Sequence, residues 1–158
     1  MLLSNFTHSR QRHRSDCLIA CAEMVLNYLG IDIGYSRLRE LLRAGELFTP
    51  FSHLSRLEIL GMTIVSGDLG QSTIFESNIA NGLPVIAGVR TLNWQHWGKL
   101  TTEHAVVVVG IDRERDVIYI HDPYFTAAPI EMSLIEFMIG WEEKDRQYAV
   151  IRLTPPED

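Results

Sequence analysis

Four residues of the sequence have side chains suited to acyl-transfer chemistry, and they occur in the order Gln11, Cys17, His104 and Asp122. A thiolate is an effective nucleophile when an imidazole holds it as an ion pair and a carboxylate orients that imidazole. A side-chain amide just before the nucleophile could stabilise the oxyanion of the intermediate. Each of the four residues taken alone has a plainer structural explanation. Their combination in one chain is what points to this chemistry.

The candidate nucleophile lies at the start of the best-defined helix in the sequence. Apolar residues recur every three or four positions over residues 17–29, Ser15 or Asp16 can cap the start, and Gly30 can end the helix. The N-terminus of a helix favours the thiolate form of a cysteine placed there. Cys21, one turn deeper, is expected to be a small buried residue. Three preceding arginines would also favour a thiolate if they fold near the sulfur: Arg10, Arg12 and Arg14.

His104 and Asp122 flank a predicted pair of antiparallel strands. Residues 105–109 are apolar without polar alternation, so we expect a central strand that is buried on both faces. Residues 112–116 form a polar turn into a second strand over residues 117–120. Because His104 and Asp122 lie about equally far from this turn, neighbouring strand ends should bring their side chains together.

The remaining elements predict an α+β fold in which N-terminal helices pack on a C-terminal antiparallel sheet. Further helices are expected from Ser36 to Gly45, Ser52 to Gly61, Ser72 to Ala80 and Ser133 to Trp141, and further strands over 62–65, 83–89 and 148–153. We interpret residues 1–158 as a single domain, with residues 154–158 as a frayed tail.

The composition and net charge of the chain argue against several classes of binding partner. The 158 residues include 46% hydrophobic residues and have a net charge of -6, the wrong sign for a protein that binds nucleic acid. No apolar run of about 20 residues is present and the N-terminus turns polar early, so we expect no membrane partner and a cytoplasmic location. Cys17 and Cys21 fit no common zinc pattern, so we expect neither a metal nor a cofactor.

Two tryptophans precede the candidate base. Trp94 and Trp97 lie in a polar connection between Arg90 and His104, and exposed indoles there could clamp a peptide substrate. The alternative is that both rings fold back onto the core. Glu103 is assigned no role, because it would point to the opposite face from His104 if the strand has already begun.

Several segments resemble the double-glycine leader peptidases, which are papain-like cysteine peptidases that process bacteriocin precursors. The resemblance extends over nearly the whole chain and rests on residues 11–30, 82–86, 104–110, 121–123 and 136–141. It implies a papain-like fold. It also implies that Cys17 is the nucleophile, His104 the general acid/base, Asp122 the residue that orients His104, and Gln11 part of the oxyanion hole.

The chain departs from the family in one position and lacks some of its usual parts. Leu18 follows the nucleophile where family members usually have glycine, which could narrow the cleft. The transmembrane and nucleotide-binding parts of many leader peptidases are not encoded, so we expect a freestanding relative with a different peptide substrate. Its oligomeric state is not predicted.

The sequence predicts a cysteine peptidase that cleaves a peptide or protein, after small residues, through an acyl-enzyme on Cys17. An acyltransferase or amidase on the same scaffold is an alternative, because thioester chemistry is common to all three and only the acceptor differs. A non-catalytic peptide-binding module is a second alternative, although such modules usually lose the cysteine. A toxin or immunity partner that acts by interaction alone has no supporting sequence feature.

Overall fold

The computed structural model describes residues 1–98 and 100–154, and its centre is a six-stranded antiparallel sheet with the order β1-β6-β2-β3-β4-β5. The strands are β1 Met62–Gly67, β2 Val85–Arg90, β3 Glu103–Asp112, β4 Val117–His121, β5 Ile130–Ser133 and β6 Tyr148–Leu153. Five of these strands were predicted, whereas β5 was not. Of the predicted frayed tail, Thr154 is exposed and residues 155–158 lie outside the described residues.

Within the described residues, four α-helices and two 3₁₀ helices surround the sheet. The α-helices are α1 Cys17–Tyr28, α2 Tyr35–Leu41, α3 Ile74–Ile79 and α4 Leu134–Glu142, and the 3₁₀ helices are Phe51–Leu60 and Gln95–Trp97. The predicted α+β fold is therefore confirmed, although the third predicted helix is 3₁₀ rather than α. Gly30 follows α1 with a φ of 85°, a conformation that favours glycine at a helix end. Among the described residues, none of the helices has both the length and the apolar character needed to cross a bilayer.

Strand β3 separates two hydrophobic cores. Ala105, Val107 and Val109 face the core that contains α1, while Val106 and Val108 face the core that contains α3 and α4. All five side chains are at most 4% exposed. The prediction of a central strand buried on both faces is thus confirmed, and the strand offers a rigid support for His104 at its start.

A β-bulge changes the register between β3 and β4. Val108 pairs with Ile120 and Gly110 pairs with Tyr119, so Val109 is an extra residue on β3. Beyond the bulge Val107 pairs with His121, and this register continued by one residue puts Asp122 opposite Val106. Because side chains alternate between faces, Asp122 and His104 then share a face. If the register of the Gly110–Tyr119 pair continued past Val109 without a bulge, Asp122 would lie opposite Val107 and belong to the other face.

The first sixteen residues form an extended arm along the sheet, which the sequence patterns did not predict. Leu2 forms an isolated antiparallel bridge with Gly110, on the part of β3 that extends beyond β2. Further along, the backbone N–H of Gln11 donates to the carbonyl of Pro123 at 2.9 Å. The arm therefore runs from the bulged part of β3 to the segment that follows β4, and it brings Gln11 to the same end of the sheet as Asp122.

Candidate active site

His104 and Asp122 form a buried hydrogen-bonded pair. His104 is the second residue of β3, Asp122 directly follows β4, and His104 Nε2 lies 2.6 Å from Asp122 Oδ1. His104 is 9% exposed and Asp122 is fully buried. Since the carboxylate occupies Nε2, the Nδ1 atom is the ring nitrogen left for a contact with a thiol. The pair can hold an imidazole in one orientation and stabilise its protonated form.

Cys17 is the first residue of α1 and lines the same cleft as His104. Its side chain is partly exposed, whereas Cys21 is fully buried and burial raises the pKa of the Cys21 thiol. The first N–H groups of a helix have no partner within the helix, so the start of α1 has a partial positive charge. Cys17 therefore has both the access and the local electrostatics of a reactive thiol.

The electrostatics of the pair favour a charged imidazole. Burial is the largest effect on the pKa of His104 and lowers it, but hydrogen bonds to Asp122 and Cys17 outweigh burial and raise the pKa from 6.5 to about 9. Burial alone would raise the pKa of Asp122, but hydrogen bonds from His104 and His96 hold it well below its ordinary value. At neutral pH these interactions favour His104 as an imidazolium beside the carboxylate of Asp122.

Among the described residues, the carboxylate of Asp122 has three further hydrogen-bond partners besides His104. Trp97 Nε1 donates to Oδ2 at 2.8 Å, His96 Nε2 lies 2.9 Å from the same oxygen, and the backbone N–H of Tyr124 donates to Oδ1 at 3.1 Å. His96 was not predicted from the sequence to belong to the site. Its only signal was a histidine beside tryptophan in the polar connection that leads to His104.

Gln11 lines the cleft, but its amide is turned toward its own arm. Nε2 donates to the backbone carbonyls of His13 and Arg14, both at 3.0 Å, and the buried Oε1 has no partner among the described residues. An oxyanion role requires this amide to redirect an N–H group into the cleft. The backbone N–H of Cys17, at the start of α1, is the other candidate donor.

The two tryptophans have different surroundings. Trp94 is fully buried, stacks on Phe137 and donates to the carbonyl of Glu136 at 3.0 Å, so the prediction of an exposed clamp is wrong for this residue. Trp97 is not exposed either, at 9%, but it lines the cleft and packs edge-on against His104, with 5.0 Å between ring centroids. Trp97 therefore contacts both members of the His104–Asp122 pair.

Asp16 does not cap α1 with its side chain. It is fully buried, and its Oδ2 accepts hydrogen bonds from Tyr35 at 2.8 Å and from Arg39 at 2.9 Å. The residue before Cys17 is thereby anchored to α2, at the point where α1 begins. Of the three arginines of the arm, Arg14 lines the cleft.

Two hollows flank Cys17 and His104, and both residues line each of them. The broad cleft has a volume of about 510 Å³, and the narrow recess has a volume of about 140 Å³. Leu18 lines the narrow recess and is 3% exposed. A larger groove of about 730 Å³ lies along α4, and none of the four candidate catalytic residues lines it.

Known proteins share this sequence pattern and fold. Residues 3–149 match the sequence model of the family described as Peptidase_C39 like family. A protein described as a C39-like peptidase from Bacillus anthracis superposes with a TM-score of 0.76 at 17% identity, over 99% of this chain and 98% of that one. The peptidase domain of Streptococcus ComA, described as a bifunctional ABC transporter involved in quorum sensing, gives 0.70 at 22% identity, over 96% and 100%. No curated protein sequence matches the chain.

Proposed function

The chain belongs to the Peptidase_C39 like family, and we propose that it is a cysteine peptidase with Cys17 as nucleophile, His104 as general acid/base and Asp122 as the residue that orients His104. The observation that carries the proposal is the 2.6 Å contact between His104 and Asp122 beside a cleft that Cys17 lines. A thiol, an imidazole and a carboxylate in this order are the parts that acyl transfer needs.

The reaction proceeds through a thioester. The Cys17 thiolate attacks the carbonyl carbon of the scissile bond, and the oxyanion is held by the backbone N–H of Cys17 and by the amide of Gln11 after it redirects an N–H group. Protonated His104 donates its proton to the leaving amine as the C–N bond breaks. Neutral His104 then takes a proton from water, the hydroxide attacks the thioester, and the thiolate is released.

The substrate is a peptide or protein that is cleaved after a small residue. The narrow recess of about 140 Å³ supports this preference, because Leu18 and Phe51 occupy space that a large side chain would need. We place the enzyme in the cytoplasm. Its two free cysteines, in a chain with no others, suit a reducing compartment.

The test is turnover by variants of the proposed catalytic residues. Cys17→Ala, Cys17→Ser and His104→Ala are compared with the unchanged chain on internally quenched peptides that have Ala or Gly before the cleavable bond. We expect each variant to lose at least about a thousandfold in kcat/KM, as removal of a member of such a triad does in other hydrolases. Turnover that is unchanged in all three variants would eliminate the peptidase proposal.

The acceptor of the acyl group separates hydrolysis from acyl transfer. Mass spectrometry of Cys17 with a trapped acyl group, with and without an added amine, distinguishes a peptidase from an acyltransferase. We expect release of the free acid in both conditions. Formation of the amide at the expense of the acid would assign the chain to acyl transfer.

A further inference from the structure

The two hollows beside the proposed catalytic pair differ in size and in lining. The broad cleft has more than three times the volume of the narrow recess. Apolar and aromatic side chains line much of the broad cleft: Leu47, Phe48, Trp97, Leu100 and Tyr124. Substrate segments on the two sides of Cys17 therefore meet different surroundings.

Three apolar side chains in the wall of the broad cleft are more than half exposed to solvent, which suits a cleft that binds an apolar group. Leu47 is 87% exposed, Phe48 is 65% exposed and Leu100 is 57% exposed. Apolar side chains that cluster at one concave site, rather than lie scattered over a surface, mark a binding site. A bound apolar side chain would remove these three residues from water at once, and this burial supplies the affinity.

The charged residues of the broad cleft do not favour a charged substrate side chain over an apolar one. Apart from His104, whose charge is paired with Asp122, the charged residues that line the cleft are Arg14 and Glu103, one of each sign. Glu103 also lies 3.5 Å from Lys144, so its charge is partly balanced outside the cleft. Neither an acidic nor a basic side chain of a substrate would gain a consistent partner there.

We propose that the broad cleft binds a bulky apolar residue, such as Phe or Leu, immediately after the cleaved bond of the substrate. This inference rests on the proposed function, in which the narrow recess takes the small residue before the bond. The specificity-determining residues are Phe48 and Leu100, which the mechanism does not use. Trp97 also lines this cleft, but it is 9% exposed and its indole N–H is hydrogen-bonded to Asp122.

The test uses four internally quenched peptides that have Ala before the cleavable bond and Phe, Leu, Ser or Asp after it. We expect kcat/KM to be at least about tenfold higher for Phe and Leu than for Ser and Asp, the discrimination expected for one buried apolar side chain. Phe48→Ala and Leu100→Ala should each reduce this ratio at least about threefold. Leu69→Ala is the matched control, because Leu69 is 78% exposed and lines neither hollow.

Binding of the same peptides to the Cys17→Ala variant separates this inference from the proposed function. If no peptide is hydrolysed but Phe and Leu peptides bind the variant at least about tenfold more tightly than Ser and Asp peptides, the peptidase proposal fails and the subsite stands. Equal affinities for the four peptides would overturn the subsite, whether or not hydrolysis occurs. The subsite would also be overturned if Leu69→Ala lowered the ratio of kcat/KM between apolar and polar peptides as much as Leu100→Ala does.

Discussion

The indole of Trp97 and the carboxylate of Asp122 are joined by a 2.8 Å hydrogen bond, made to the oxygen that His104 does not contact. The carboxylate is thus held at both of its oxygens. Because a carboxylate held at both oxygens cannot swing about its Cβ–Cγ bond, this contact fixes the direction from which His104 is supported.

Trp97→Phe tests this contact, since it keeps an apolar ring beside His104 and removes the N–H donor. A hydrogen bond to a charged group contributes about 1.5–3 kcal/mol, so we expect kcat/KM to fall about tenfold or more. Steady-state kinetics on a cleaved peptide gives the measurement. Trp94→Phe is the control, because its N–H donates to Glu136 rather than to Asp122. Equal losses of kcat/KM in the two variants would show that the hydrogen bond to Asp122 is not the cause of the reduced activity.

His96 is expected to act as a positioning residue through the same oxygen of Asp122. His96→Leu removes the polar partner at 2.9 Å and should lower kcat about threefold to tenfold with little change in KM. His96→Gln keeps an N–H donor of similar reach and should recover most of the activity. If His96→Gln is as impaired as His96→Leu while both variants unfold at the same urea concentration, the hydrogen bond to Asp122 does not account for the loss of kcat.

The raised pKa of His104 predicts a loss of stability in alkaline solution. The folded pKa of about 9 lies above the ordinary value of 6.5, so the folded chain binds more protons between these values. The stabilisation is complete below pH 6.5 and is lost as the pH rises through about 9. We expect the free energy of unfolding to fall by at most about 3 kcal/mol over this range.

Urea unfolding at pH 6.5 and pH 9.5 measures this change, with His104→Gln as the control that lacks the titrating group. Asp122→Asn removes the negative charge that raises the pKa of His104, so the alkaline loss of stability should shift to lower pH. A pH dependence that is the same in all three proteins would contradict the assignment.

The two cysteines should react at very different rates. Cys17 is partly exposed at the start of α1, whereas Cys21 is fully buried and its thiol has a raised pKa. We expect iodoacetamide at neutral pH to label Cys17 at least about a hundredfold faster than Cys21, as read by peptide mass spectrometry. Comparable labelling of the two in the folded protein would argue against a reactive Cys17.

The sequence was sufficient where a single pattern determines an element. The three- and four-residue spacing after Cys17 predicted α1, and the uninterrupted valines after His104 predicted the buried strand β3. The turn at residues 112–116 predicted the antiparallel pairing of β3 with β4. These elements are local in sequence, so their residues contain the information that defines them.

The surroundings of several other residues depend on contacts with residues that are distant in sequence. Asp16 was a plausible helix cap, but Tyr35 and Arg39 of α2 provide donors for its carboxylate instead. Trp94 and Trp97 are three residues apart in a similar polar context, and only the packing against Phe137 and Asp122 distinguishes them. His96 belongs to the site for the same reason. Residue type alone does not predict such partners.

The extra residue at Val109 has a consequence for protein design. A designer who copied residues 104–122 into a ribbon that pairs regularly from the turn onward, with Val109 kept in the ladder, would place Asp122 opposite Val107 and put His104 and Asp122 on opposite faces. Transfer of the pair therefore requires either the bulge together with its extra residue or a regular ladder from which Val109 is omitted. The pairing register at the strand ends, rather than the number of residues between the two side chains, is what the proposed catalytic motif needs.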